Sequence, residues 1–250
     1  MYVYKENDIV SNYIINTKKW ESKETNNIIK ALSYYSEKKN LSKNDIYIID
    51  IGANIGWYTF TLSKYGYKIF SFEPSKINYY ILRKNYCINK ELNIILINKG
   101  LYNEDKKCNL YNIKGNIGNG IIVCENKINN TNLLKNLVIR EKIVLTKLSY
   151  YIPLLKNNLA LIKIDVECLE GKVIEGGIEL ITKYHIPFII MEFNASCLKS
   201  HGTEPKKFLQ IFLNNGYKIS PLKFLDERIY TIDYFNTKKT INLYVSHTKI

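Results

Sequence analysis

Three short apolar runs, residues 45–51 (DIYIIDI), 68–72 and 93–97, are separated by segments of helical period at 54–65 and 76–87. Strands joined at this range by helices run in the same direction, so the sequence predicts βαβ units and a parallel sheet covered by helices. A helix over 21–39 precedes them. Ile28, Ile29, Leu32 and Tyr35 share one of its faces, with Glu21 and Glu24 in the first turn and Lys38 and Lys39 in the last, matching the helix dipole.

Further along, 142–146, 159–166 and 187–193 read as strands and 170–183 and 205–214 as helices. Residues 218–222 and 240–245 read as a closing pair of strands, antiparallel to each other. The stretch 114–136, with three glycines and seven asparagines, reads as loop. The expected organisation is an N-terminal helical extension over 1–44 and one compact α/β unit over 45–250.

Composition narrows the function. No window approaches the ~18 apolar residues of a membrane span, and the N-terminus lacks the pattern of a signal peptide, so the expectation is a cytoplasmic protein. The formal net charge is +13, but only three basic residues are arginines, Arg83, Arg140 and Arg228. Arginine is the residue that grips phosphates and guanines bidentately, so no nucleic-acid partner is expected. The five cysteines, Cys87, Cys108, Cys124, Cys168 and Cys197, form no C-x-x-C pair and are expected to be free buried thiols.

The chemistry concentrates at strand ends. Asp50-Ile51-Gly52-Ala53-Asn54-Ile55-Gly56 follows the first strand and opens a helix; its spacing is G-x-x-x-G, whereas a dinucleotide fingerprint requires G-x-G-x-x-G. The second strand ends in Phe72-Glu73-Pro74, which places a carboxylate to accept the hydroxyls of a ribose. A ribose acceptor without a diphosphate cradle suggests an adenosine cofactor lacking a diphosphate, S-adenosylmethionine being the candidate. Lys163-Ile164-Asp165-Val166-Glu167-Cys168-Leu169-Glu170 ends the next core strand and Met191-Glu192-Phe193-Asn194 the one after it, so Asp165, Glu167, Glu192 and Asn194 are expected to converge on the same crevice.

These four motifs, in this order, resemble the FkbM-type family of S-adenosylmethionine-dependent methyltransferases over residues 20 to 220. The resemblance implies a class I Rossmann-like fold, a mostly parallel seven-stranded sheet with helices on both faces. It also implies O-methylation of a sugar, glycan or other small hydroxylated acceptor. It places cofactor contacts on Asp50, Gly52, Ala53, Asn54, Gly56, Glu73 and Pro74, adds Asn78, and sets Leu101 and Tyr102 beside the adenine. Two positions depart from the family pattern: Cys168 stands where glycine is usual, which strains the turn if φ is positive there, and Ser149 stands where aspartate is usual.

An alcohol is a poor nucleophile at neutral pH and needs a general base or an acidifying metal. Two arrangements fit. In one, Asp165 or Glu167 takes the proton, with Glu192 facing it. In the other, Asp165, Glu192 and Asn194 form an oxygen cage for Mg²⁺. The bland reading pairs these acids with Lys163 and surface lysines. His201 reads as a surface-loop residue, and His185 and His247 as solvated. RNA ribose 2'-O-methylation and non-catalytic S-adenosylmethionine binding are the alternatives carried forward, and an NAD oxidoreductase is disfavoured by the missing glycine.

Overall fold

A computed structural model describes residues 1–113, 116–124, 137–155, 158–235 and 239–250. The apolar runs become β1 (Tyr47–Ile51), β2 (Lys68–Phe72) and β3 (Ile94–Ile97). β8 (Leu159–Ile164), β9 (Phe188–Phe193), β10 (Tyr217–Ser220) and β11 (Ile241–His247) complete a seven-stranded sheet of order β10-β11-β9-β8-β1-β2-β3. β1 pairs in parallel with β2 and β8, while β11 runs antiparallel to both β9 and β10. The strand order reverses between β1 and β8, the place where ligands bind in open α/β sheets.

Strand alternation builds two cores. Ile49, Ile51, Ile162, Ile164, Ile189 and Met191 face α5 (Glu170–Glu175), α6 (Glu179–Thr182), α7 (Ala195–Ser200) and α8 (Pro205–Asn214). Ile48, Leu161, Phe188 and Ile190 face α2 (Ser22–Lys39), α3 (Trp57–Lys64) and α4 (Lys76–Cys87). Both faces being covered explains why the strands read as continuous apolar runs. A further helix, α1 (Ile9–Thr17), is capped by Asp8, whose carboxylate accepts from Ser11 N at 2.7 Å.

Four expectations need correction. The helix over 170–183 is broken into α5 and α6 at Gly176-Gly177, because β4 (Gly100–Tyr102) presses on its end: a Cβ at Gly176 would lie 2.0 Å from the Tyr102 carbonyl oxygen. The loop expected over 114–136 is in part a strand. β5 (Lys106–Ile113), β6 (Asn116–Val123) and β7 (Leu137–Lys147) join β4 in a second sheet of order β4-β7-β5-β6; residues 114–115 and 125–136 lie outside the described ones. The glycines of β6 serve close approach. Gly118 N donates to Asp8 at 3.1 Å, and a Cβ there would sit 2.0 Å from the same carboxylate.

The cysteines are not free buried thiols: Cys108 pairs with Cys124 and Cys168 with Cys197 as disulfides, leaving Cys87 free and exposed. The fold brought together residues that sequence separation kept apart. His247 is buried rather than solvated, with its ring against Tyr217 and His185. Among the described residues no helix is long and apolar enough to cross a membrane.

Candidate active site

At the carboxyl ends of β1, β2, β8 and β9 lies a cavity of about 290 Å³. Its floor on one side is the turn after β1. Gly52 N and Ala53 N both donate to Phe72 O at 3.0 Å, docking the turn onto β2. Gly52 has φ +76°, and a Cβ there would lie 1.9 Å from Asp165 O, so glycine is required by the neighbouring β8 turn. Asn54, also left-handed at φ 52°, donates its N–H to Glu73 Oε2 at 2.8 Å, and its own side-chain oxygen is buried without a partner among the described residues.

Glu73 is the hub of this half. Ser75 N at 2.9 Å and Asn78 Nδ2 at 3.3 Å donate to its other oxygen. Burial pushes its carboxyl up to about 7, against the pull of these hydrogen bonds. Asn78 is itself held by Arg140, whose guanidinium reaches Asn78 Oδ1 at 3.2 Å and Tyr4 OH at 3.0 Å.

The other half is acidic. Asp165, Glu167 and Glu192 line it together with Glu21, which accepts from Tyr58 OH at 2.6 Å. Lys163 is buried among them. Its ammonium reaches Asp165 at 3.2 Å, the Gly52 carbonyl at 3.2 Å and Asp50 at 3.8 Å, and lies over the Tyr58 ring. Burial pulls Lys163 down, but Asp165, Asp50 and Glu21 outweigh it, so the ammonium stays charged. Glu192 differs from its neighbours: among the described residues no hydrogen bond or ion pair ties its carboxylate down. Burial, followed by the Asp165, Glu167 and Glu21 charges, raises it to about 7. Burial, then Asp165, raises Glu167 as well.

The expected residues divide. Gly52, Ala53, Asn54, Glu73, Pro74, Asn78, Asp165, Glu167 and Glu192 share the cavity wall. Asp50, Gly56, Leu101 and Tyr102 do not. Asp50 is not on the wall; it lies 3.8 Å from the Lys163 ammonium and accepts from Thr59 at 2.6 Å, anchoring α3. Gly56 packs against Phe60 and Leu82, Leu101 is in the main core, and Tyr102 packs on the small sheet. The oxygen cage for Mg²⁺ is not assembled. Asn194 spends its side-chain oxygen capping α7 through Cys197 N at 3.0 Å, and its amide donates to Thr240. Among the described residues the acidic side chains form no three-ligand cluster.

Sequence reasoning missed Trp20, Glu21, Tyr58, Asn119 and Arg140 as wall residues. For Arg140 alone there was a signal, its rarity in a chain whose basic residues are nearly all lysine.

Glu170, at the start of α5, closes the β8 turn by accepting from Val166 N at 3.2 Å. It is buried, and burial raises it to about 8. Between its unfolded value near 4.5 and about 8 the folded chain therefore holds a proton that the unfolded chain does not, and stability falls as pH rises through that window. Glu170→Gln keeps the acceptor and removes the titration. It is expected to match the wild type near pH 4.5 and to be more stable near pH 8.5 by at least about 1.4 kcal/mol, the worth of one pKa unit. Urea unfolding at the two pH values measures this, and parallel curves for the two proteins would refute it.

A seven-stranded sheet with one antiparallel strand, and a ligand crevice at the switch point bordered by a buried glutamate after β2, define a Rossmann-like methyltransferase fold. The profile of the methyltransferase FkbM domain matches residues 50–219, about two thirds of the chain, and the chain belongs to that family. No curated protein matches the chain. Among solved structures it is similar to the bifunctional kinase-methyltransferase WbdD, with TM-score 0.52 and 9% identity over 94% of this chain and 41% of that one. Monomeric WbdD gives TM-score 0.51 and 10% identity over 94% and 43%. The chain thus spans about two fifths of the WbdD chains it matches, and at such identity the likeness concerns the fold.

Proposed function

We propose that this chain is an S-adenosylmethionine-dependent O-methyltransferase acting on a hydroxyl of a sugar, glycan or related small molecule. The observation that carries the proposal is Glu192: an untethered carboxylate, poised near neutrality, in the same cavity as the buried Glu73. The pocket suits the cofactor, because the buried Glu73 and the orphaned oxygen of Asn54 are acceptors for the hydroxyl donors of a ribose. When bound, S-adenosylmethionine supplies a methyl group activated by a sulfonium. Glu73, Asn54 and Asn78 would hold its nucleoside end, and Gly52 and Ala53 set the backbone beneath it.

Glu192 would accept the proton of the acceptor hydroxyl. Asp165 would serve as the counter-ion of Lys163 and set the field around that proton transfer. In the acceptor half Glu21, Asp165, Glu167 and Glu192 face a single lysine, Arg140 lying against Asn78 and Tyr4 on the Glu73 side; this acidic wall repels phosphates, which favours a small neutral polyol over RNA.

S-Adenosylhomocysteine is expected to raise the melting temperature by mass action. Glu73→Ala should weaken its binding by roughly 1.5–3 kcal/mol, the worth of hydrogen bonds to a charged group. A thermal shift with NAD and none with either S-adenosyl compound would refute the proposal. Labelled S-adenosylmethionine presented with a panel of glycans and small alcohols identifies the acceptor.

A further inference from the structure

The turn between β8 and α5 carries two adjacent non-glycine residues in the left-handed region, Glu167 at φ 54° and Cys168 at φ 76°. No other two such residues are adjacent among the described residues. L-residues adopt this conformation at a free-energy cost, and it persists where the surroundings over-determine it.

Three ties hold this turn. Asp165 N donates to Ile51 O at 3.1 Å before it, and Val166 N donates to Glu170 across it. At the strained position itself the tie is covalent, because Cys168 is bonded to Cys197 in α7, their Cα atoms 5.6 Å apart. α7 begins directly after β9, the strand that carries Glu192. The disulfide therefore joins the two strand-end segments that supply Asp165, Glu167 and Glu192. Cys108–Cys124 lies in the small sheet and joins neither of these strand-end segments.

We infer that Cys168–Cys197 is a positioning pair for the active site: it holds the β8–α5 turn left-handed so that Glu167 and Asp165 face the acceptor, and its reduction loosens the acceptor half while sparing the cofactor half. The inference rests on the proposed methyltransferase reading. Reduction breaks the Sγ–Sγ bond with two electrons and two protons from a dithiol, which closes to its own disulfide, and leaves two cysteine thiols.

Two variants of the full chain separate this role from a general staple. Cys168→Ser and Cys168→Gly both abolish the disulfide, but only glycine takes φ +76° without strain. In the oxidised state Cys168→Ser is expected to lose roughly ten- to hundred-fold in kcat, the scale of a small misplacement of reacting groups, with S-adenosylhomocysteine affinity unchanged. Cys168→Gly should retain near wild-type kcat and be indifferent to dithiothreitol, which would exclude Cys108–Cys124 as the source of any redox effect. Wild type should fall to the Cys168→Ser level on reduction.

Amide hydrogen exchange over residues 165–170 gives a readout independent of turnover. It should quicken in reduced wild type and in Cys168→Ser. If no acceptor is methylated by any form, the methyltransferase reading fails while exchange still decides the positioning role. Equal activity of Cys168→Ser and Cys168→Gly, unchanged exchange on reduction, or peptide mapping that finds Cys168 and Cys197 unlinked would overturn it. So would recovery of the reduced protein on adding Zn²⁺ in place of an oxidant, since Cys168, Cys197 and His201 would then be metal ligands.

Discussion

Glu192→Gln is expected to lower methyl transfer by roughly 10²–10⁴-fold, the usual worth of a positioned general base, while S-adenosylhomocysteine binds as to the wild type. Three observations converge on this residue. It sits at the carboxyl end of β9, it lines the cavity that holds Glu73, and among the described residues no hydrogen-bond or ion-pair partner competes for its carboxylate. Its elevated value near 7 adds a signature in pH. A base works only when deprotonated, so kcat/KM of the wild type should climb about tenfold per pH unit below 7 and level off above it. Glutamine does not titrate, so that limb should vanish in the variant along with the rate. Near wild-type turnover in Glu192→Gln would remove Glu192 from the mechanism. If Asp165→Asn abolished the limb instead, the base would be Asp165 and Glu192 an onlooker.

That assignment was only half legible in the sequence. The strands and their parallel order followed from periodicity and spacing, because buried parallel strands are apolar on both faces and are separated by helices. That Gly52, Asn54 and Glu73 share one wall of the cavity was also legible, since they lie within one βαβ unit where local geometry dictates placement. Which carboxylate is free was not. Asp165, Glu167 and Glu192 look alike in the chain. What separates them is that Lys163, in β8, pairs with Asp165 just beyond the end of the strand and that the Asn119 side chain hydrogen-bonds Glu167, contacts that exist only once the strands and the small sheet come together. The Asn- and Gly-rich β6 was read as loop because its glycines signal turns, whereas Gly118 makes room for Asp8 and Gly120 for Leu110. The disulfides escaped because cysteines 16 and 29 residues apart announce nothing until the sheet brings them together.

Lys163→Met is expected to destabilise the fold by roughly 3–5 kcal/mol, the cost of leaving a buried charge without its partner. Lys163 serves two aspartates with different access to water. Asp165 has a side chain 36% exposed and can turn to solvent, whereas Asp50 is 1% exposed and cannot. Without the ammonium, Asp50 keeps its hydrogen bonds from Thr59, and among the described residues its Oδ1 has no hydrogen bond even in the wild type. Burial already raises Asp50, with Lys163 the main opposing influence, so the variant's Asp50 should hold a proton well above the unfolded value of about 3.9. The folded state then binds protons that the unfolded state does not, and the deficit should be largest at pH 8 and shrink towards pH 5. Adding Asp50→Asn to Lys163→Met removes the stranded charge and should restore most of the loss. Denaturant unfolding of the two single variants and the double variant gives the coupling energy directly. A deficit below about 1 kcal/mol in Lys163→Met, or no recovery in the double variant, would mean that the lysine is dispensable to the fold. Its place between the β1 turn and the acidic wall would then be purely electrostatic, acting on the carboxylates of the acceptor half.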